Sequence, residues 1–325
     1  MASGGPTKIV AADIGGTNAR FAIAELVPGQ RPKLSDVKRY PTADHDGLPA
    51  AWAAFDADFD EPMPRAAAIG VATGLGEDVL RFANNDWVID QRTLAGELGL
   101  DRLLLLNDFG AMAHGASVLM PDEMDHVMGP AGPMPAEGVT TVIGPGTGLG
   151  VAMILKRGSH IHVIETEGAH IGFAPLDEEE ERIEHELRIQ FGRCSVERVV
   201  SGPGLLDLYR ALGGRGYEDD IPLWTAALNG TDPAAVDALE RLIKAFGSAA
   251  GDLALAHGSN AVVISSGLSK RMASHLKSRL FAGRFVAKGR YRHRMEAMPV
   301  RLVLHDQPGL LGAAVAFQRK MVVTA

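Results

Sequence analysis

Two stretches more than a hundred residues apart share one layout. KIVAADIGGTNARFAIAEL (8–26) and VTTVIGPGTGLGVAMILKR (139–157) each run as an apolar strand, a glycine-rich turn containing Gly-Thr, and a second apolar strand. Apolar runs flanking such a turn predict a β-hairpin, and the glycines leave its tip without side chains. One glycine-rich hairpin is a common way to reverse a chain. Two with the same pattern, in separate halves, point to related lobes that face each other and bring backbone close to a shared phosphate. Glycine is also the compositional outlier, at 38 of 325 residues against a usual share of about 7%.

Short Val-, Ile- and Leu-rich runs alternate with longer helical patterns along the chain, which predicts α/β layering. Strands are expected at 8–14, 19–26, 65–73, 102–107, 139–144, 150–157, 261–265 and 300–306. Helices are expected at 46–58, 109–118, 178–191, 204–212, 232–257 and 309–321. The longest opens with Thr231-Asp232-Pro233, a capping residue before a first-turn proline. It then places Leu239, Leu242, Ile243, Phe246 and Leu253 on one stripe. The length suits about two domains, and MGPAGPMPAEG (128–138) reads as a surface loop or boundary. Residues 1–118 with 309–325 are expected to form a small α/β domain, and 119–308 a large one. MASGGP at the start reads as a disordered lead-in.

Bulk properties exclude several classes. A net charge of −8 argues against a general nucleic-acid binder, which needs excess Lys and Arg. The single cysteine, Cys194, allows no intrachain disulfide and no multi-cysteine metal site. No apolar run reaches the ~18 residues of a membrane span, and no signal-peptide core opens the chain, so a cytoplasmic protein without a membrane partner is expected.

Five stretches carry chemistry. In Asp13-Ile14-Gly15-Gly16-Thr17-Asn18, amides beside glycines can approach a phosphate and a carboxylate can hold hydrated Mg²⁺; a turn whose Asp and Asn bond locally explains it equally well. Gly144-Pro145-Gly146-Thr147-Gly148-Leu149-Gly150 has more glycine than a turn requires, yet it matches neither G-x-G-x-x-G nor a P-loop. Asn107-Asp108 follows the apolar run Leu103–Leu106. The Asp-Phe-Gly that begins there is not a protein-kinase signature, because no His-Arg-Asp precedes it and the glycine-rich loop at 144–150 follows it. An amide and a carboxylate at the end of a buried parallel strand sit where α/β sheets bind ligands, although capping of the helix 109–118 by Asp108 is a credible account of that residue in isolation. Glu167 and His170, in Glu165-Thr166-Glu167-Gly168-Ala169-His170, suit several hydroxyl groups better than zinc; a satisfied loop histidine is the plainer alternative. Glu197 reads by spacing alone as a surface residue.

With these in hand, the chain resembles the bacterial-type glucokinases, ATP:glucose 6-phosphotransferases of the sugar kinase–Hsp70–actin superfamily. The matching pieces are ADIGGTNARFA, LLLLNDF, IGPGTGLGVA, EGAHIGFAP, VERVVSGPGLLDLYRAL and HDQPGLLGA, in order from about 8 to 317. The resemblance implies two ribonuclease H-like lobes of the actin-like ATPase fold around a deep cleft. It implies Asp108 as catalytic base, with Asn107, Asp108, Glu167, His170 and Glu197 binding glucose hydroxyls. Asp13, Gly15, Gly16, Thr17, Asn18 and the loop Gly146–Thr147–Gly148 would surround the phosphates of ATP, Asp13 would hold Mg²⁺ through water, and Ser266 and Gly267 would lie near the adenosine. A homodimer is expected on the same ground. The chain departs from the family's usual pattern at Gly110-Ala111, Ala169, Gly172 and Ser265-Ser266-Gly267-Leu268. Its one cysteine does not suit the zinc cluster of the neighbouring repressor-related sugar kinases.

The expected reaction is transfer of the ATP γ-phosphoryl to the 6-hydroxyl of glucose, a step that needs positioning and charge neutralisation more than covalent help. Sugar-driven closure would keep water from acting as acceptor. Alternatives are a broader-specificity hexokinase, a non-catalytic sugar or nucleotide sensor of the same fold, and an actin- or Hsp70-like ATPase. DEEEER (177–182) reads as the solvated start of a helix. The basic run from Lys270 to Arg294 reads mainly as a solvated face, with polyphosphate as a minor donor alternative.

Overall fold

The structure is a computed structural model that describes residues 7–59, 61–82 and 85–322. MASGGP, read as a disordered lead-in, lies outside the described residues. These residues divide into two compact units: one runs to Leu119 and resumes at His305, and the other spans Met120–Leu304.

In the first unit, β1 (Thr7–Ile14) and β2 (Asn18–Leu26) form the expected hairpin, in register from Thr7↔Leu26 to Ile14↔Ala19. Short β3 (Lys33–Leu34) and β4 (Lys38–Pro41) flank β2. On the other side β1 pairs in parallel with β5 (Ala66–Val71). A separate ribbon joins β6 (Val79–Arg81) to β7 (Val88–Asp90). β8 (Arg102–Asn107) then completes the sheet, parallel to β5.

Both faces of this sheet are covered, which is why its strands read as continuous apolar runs. Val10, Ala12 and Ile14 pack with Phe21, Trp52 and Phe55, the last two from the helix Leu48–Ala57. Ile9 and Ala11 face the opposite way, into Ala111, Leu310, Ala313 and Phe317. These belong to the helices Asp108–Ala116 and Pro308–Phe317. Those two helices approach so closely that a Cβ at Gly312 would meet the Ala111 carbonyl. The C-terminal helix therefore packs under the sheet of the first unit.

The second unit repeats the plan. Its sheet runs β12-β11-β10-β13-β14-β9, built from β9 (Met124–Met128), β10 (Gly138–Pro145), β11 (Leu149–Arg157), β12 (His160–Thr166), β13 (Ala261–Ile264) and β14 (Val300–Val303). β10 and β11 are the second hairpin, while β10–β13 and β13–β14 are parallel. Hairpin, antiparallel flank and two parallel strands thus recur in both units in one order, so the similarity of the two hairpins extends to whole sheets. Behind the second sheet lies the helix Pro233–Ala256, capped by Asp232, which accepts the amides of Ala234 and Ala235. Its predicted stripe of Leu239, Leu242, Ile243, Phe246 and Leu253 is buried.

Three expectations change. The last strand stops at Val303, short of 306. Asp177 does open a helix, Glu178–Phe191, by accepting the Glu180 amide, yet DEEEER is not simply solvated, because Glu180 is buried. Nor is the basic run a solvated face throughout. Arg284 donates to Asp177 and Glu180 at 2.6 and 2.7 Å, and the nearly buried Lys288 pairs with Asp252 at 2.8 Å.

Candidate active site

Hairpin geometry explains the first phosphate candidate. The Gly15 amide donates to the Asn18 carbonyl at 3.0 Å, closing the tip, and the Asn18 side chain donates to the Thr17 hydroxyl. Thr42 fastens the tip from the side, its hydroxyl donating to the Gly16 carbonyl and its amide to that of Thr17. Asn85 reaches the Gly15 and Gly16 carbonyls at 3.4 Å. The carbonyls are therefore engaged, while the amides of Gly16 and Thr17 make no hydrogen bond among the described residues. Asp13 lies opposite Arg20 across the hairpin, and the guanidinium meets Oδ2 at 3.1 Å. Burial raises the pKa of Asp13 above the ordinary carboxylate value; the charge and hydrogen bond of Arg20 oppose this without cancelling it. Gly309, in the first turn of the C-terminal helix, has no side chain, so that turn approaches this carboxylate closely.

The same unit carries Asn107 and Asp108 where β8 ends. The cap of the following helix is Asn107, not Asp108: its Oδ1 accepts the amides of Phe109 and Gly110, and its Nδ2 donates to the Thr73 carbonyl. Asp108 is instead the first helical residue, half-buried, with Oδ1 accepting the Phe109 amide at 2.8 Å. The positive end of the helix dipole thus lies beside a carboxylate. Strand, cap and helix together hold it rigidly.

In the second unit the tip Gly146–Gly148 closes by a bond from the Gly146 amide to the Gly148 carbonyl at 2.7 Å. The amides of Thr147 and Gly148, like those of Gly16 and Thr17, make no hydrogen bond among the described residues. Consecutive unclaimed amides next to a threonine are suited to phosphate oxygens. Glu167 and His170 sit around a one-turn segment after β12, with His170 Nε2 3.6 Å from Glu167 Oε2. His170 Nδ1 is 3.9 Å from Glu197 Oε1. These three residues are therefore neighbours, and Glu197 is not a surface glutamate: its Oε2 accepts the Leu149 amide at 2.9 Å. Ser266 caps the helix Gly267–Arg271 by accepting the Ser269 amide, which occupies the hydroxyl expected near the adenosine.

Sequence reasoning missed Arg20, Thr42 and Asn85 around the first tip. Arg20 was accessible from the hairpin's symmetry, which sets it opposite Asp13. Thr42 and Asn85 carry no comparable signal. The oxygens of Asp13 fit a hard cation that keeps part of its water shell and takes its remaining ligands from phosphates. No cage of three or more His, Cys, Asp or Glu side chains forms among the described residues.

The family model for glucokinase matches residues 10–320. A curated glucokinase of Zymomonas mobilis is 47% identical over 318 residues, covering 96% of this chain and 98% of that one. Among solved structures, a glucokinase from an Antarctic psychrotroph superposes with a TM-score of 0.83 at 30% identity, covering 96% of this chain and 99% of its own. A ROK-family glucokinase from Streptomyces griseus, in complex with glucose and AMPPNP, shares the fold, with a TM-score of 0.59 at 20% identity over 94% of this chain and 98% of that one. On the strength of the near-full-length match, this chain belongs to the glucokinase family.

Proposed function

We propose that this protein transfers the γ-phosphoryl group of ATP to the 6-hydroxyl of glucose, giving glucose 6-phosphate and ADP. The observation that carries the reading is its likeness to a curated glucokinase along nearly its whole length. Asp108 is the general base, accepting the proton of the 6-hydroxyl. Asn107, Glu167, His170 and Glu197 bind the sugar hydroxyls. The amides of Gly16, Thr17, Thr147 and Gly148 hold phosphate oxygens, assisted by Gly15, Asn18 and Gly146. Ser266 and Gly267 lie toward the adenosine. Asp13 holds Mg²⁺, which when bound neutralises charge on the phosphates.

The AMPPNP bound by the Streptomyces relative supports ATP as donor. A cytoplasmic homodimer is the expected state, resting on the family resemblance, and its mass in solution would be twice the 34.4 kDa of the chain. Among the described residues no helix is long and apolar enough to cross a membrane.

ADP release, measured with ATP and Mg²⁺ and with glucose, mannose, glucosamine or no sugar, tests the reading. Glucose should drive release far above the sugar-free rate. Equal rates with all three sugars would make the protein a broad hexokinase. Release independent of sugar would leave an ATPase, and no release with any sugar would leave a sensor.

A further inference from the structure

Glu197 touches two functional elements with one carboxylate. It sits in the single-turn helix Val196–Val199, and its side chain is 31% exposed. Oε1 faces His170, at 3.9 Å from Nδ1, on the side proposed for sugar. Oε2 accepts the Leu149 amide at 2.9 Å, where the second hairpin tip joins β11. Gly148 has no Cβ, and one there would collide with the same Oε2.

The backbone ties these parts together. The Val196 amide donates to the Ile171 carbonyl at 2.9 Å and the Phe173 amide to that of Cys194 at 3.0 Å, which joins this segment to the one carrying Glu167 and His170. A few residues on, the Gly202 amide donates to the Gly146 carbonyl at 2.7 Å. The indole of the buried Trp224 holds Gly202 from behind, donating to its carbonyl at 2.9 Å. Residues 194–202 therefore form a splint between the Glu167–His170 segment and the Gly146–Gly148 tip. Glu197 reaches both sides of it with one side chain, bonded to the Leu149 amide through Oε2 and 3.9 Å from His170 at Oε1.

From this geometry we propose that Glu197 couples sugar occupancy to the phosphate-binding hairpin. The inference rests on the sugar role given to Glu197 above. A hydroxyl bonded at Oε1 restricts a long, flexible side chain, and the carboxylate plane then fixes where Oε2 holds the Leu149 amide. The adjoining amides of Thr147 and Gly148 are thereby set before the nucleotide arrives. Whichever ligand binds first orders this group for the second, so the two bind cooperatively. By linkage, the factor by which glucose tightens the nucleotide equals that by which the nucleotide tightens glucose.

The test is calorimetric, with AMPPNP and Mg²⁺ titrated in the absence and presence of saturating glucose, and glucose titrated alone. In the natural chain glucose should tighten AMPPNP by about 5–20-fold, within the usual range of such couplings. Two altered proteins probe the link. One carries leucic acid at position 149, which replaces the amide by an ester, removing the N–H that Glu197 accepts and leaving the Gly148 carbonyl a weaker acceptor for the Gly146 amide. The other is Glu197→Asp, which keeps the charge but retracts it by one methylene. In both, the tightening should fall below about twofold, and Glu197→Asp should also bind glucose more weakly. Natural-size coupling in the ester protein, or no coupling in the natural chain, would overturn the link while leaving the sugar role of Glu197 standing. Unchanged glucose affinity in Glu197→Asp would remove Glu197 from the sugar site, and the proposal with it. Thermal melts of both proteins separate these outcomes from simple misfolding.

Discussion

Asp108 owes its legibility to position: an Asn-Asp pair directly after four leucines, at the end of a strand, is where an α/β sheet presents ligand groups. The structure adds how it is held, with Asn107 capping the helix that Asp108 begins. Replacing Asp108 by Asn keeps shape and hydrogen-bonding capacity but removes the proton acceptor. We expect kcat to fall on the order of 10²–10⁴-fold with little change in glucose affinity, read from steady-state rates and sugar titration. Spacing alone hid Glu197 for the opposite reason, and only the family resemblance marked it. Its one-turn helix has no periodicity, and its amide partner lies 48 residues earlier. His114, on the same helix as Asp108, was silent too. Burial, with the charges of Arg319 and Lys320, pushes its pKa from 6.5 down to about 3. It is therefore neutral when folded and takes up a proton on unfolding once pH falls below 6.5. The stability tied to it is complete above that pH and is lost progressively toward about 3, by at most about 1.4 kcal/mol per pH unit. Urea melts of a His114→Gln variant between pH 7 and 4 should show a shallower decline than the natural chain.

Among elements, those with strong local signals were readable. The helix Glu178–Phe191 matches its expected limits, because Asp177 is a good cap and the acidic first turn suits the dipole. β12 was not readable. It is an edge strand whose HIHVIET pattern alternates between half-buried and exposed residues, without the continuous apolar run of its neighbours. The helix Arg279–Val286 hid inside a basic run for a different reason. Charge pattern cannot distinguish a solvated arginine from one that reaches a carboxylate a hundred residues earlier. Arg284 does the latter: it bridges Asp177 and Glu180, and Arg241 of the long helix also binds Asp177 at 3.0 Å. Three helices are thereby clamped around two acids. Burial, the largest influence on Asp177, acts to raise its pKa, but the hydrogen bond from the Glu180 amide together with the charges of Arg241 and Arg284 holds it below the usual carboxylate range. Replacing Arg284 by Ala leaves the buried Glu180 without its cation. We expect this to cost about 3–5 kcal/mol, measured by urea denaturation at neutral pH. A loss below about 1 kcal/mol would place the clamp with ordinary surface pairs.

At the scale of the whole chain, the duplicated plan was visible in two glycine-rich hairpins because the same local geometry requires glycine in both. The sheets behind them were less visible, since parallel pairing such as β10 with β13 joins residues more than a hundred apart and leaves no local trace. Each unit has its own interior. One cluster, centred on the long helix, gathers residues from Val127 to Leu302, and two others lie on either face of the first sheet. Separate interiors allow separate unfolding, and chains of this kind commonly depart from two-state behaviour. The three tryptophans divide conveniently, with Trp52 and Trp87 in the first unit and Trp224 in the second. Phe246 is fully buried in the second unit, and its truncation to Ala should cost about 3–5 kcal/mol. In a Trp52→Phe/Trp87→Phe background, Phe246→Ala should lower the urea midpoint of Trp224 fluorescence on the order of 1–2 M. In a Trp224→Phe background, the midpoint reported by Trp52 and Trp87 should stay within experimental error. Equal displacement of both would mean that the two interiors melt as one cooperative body.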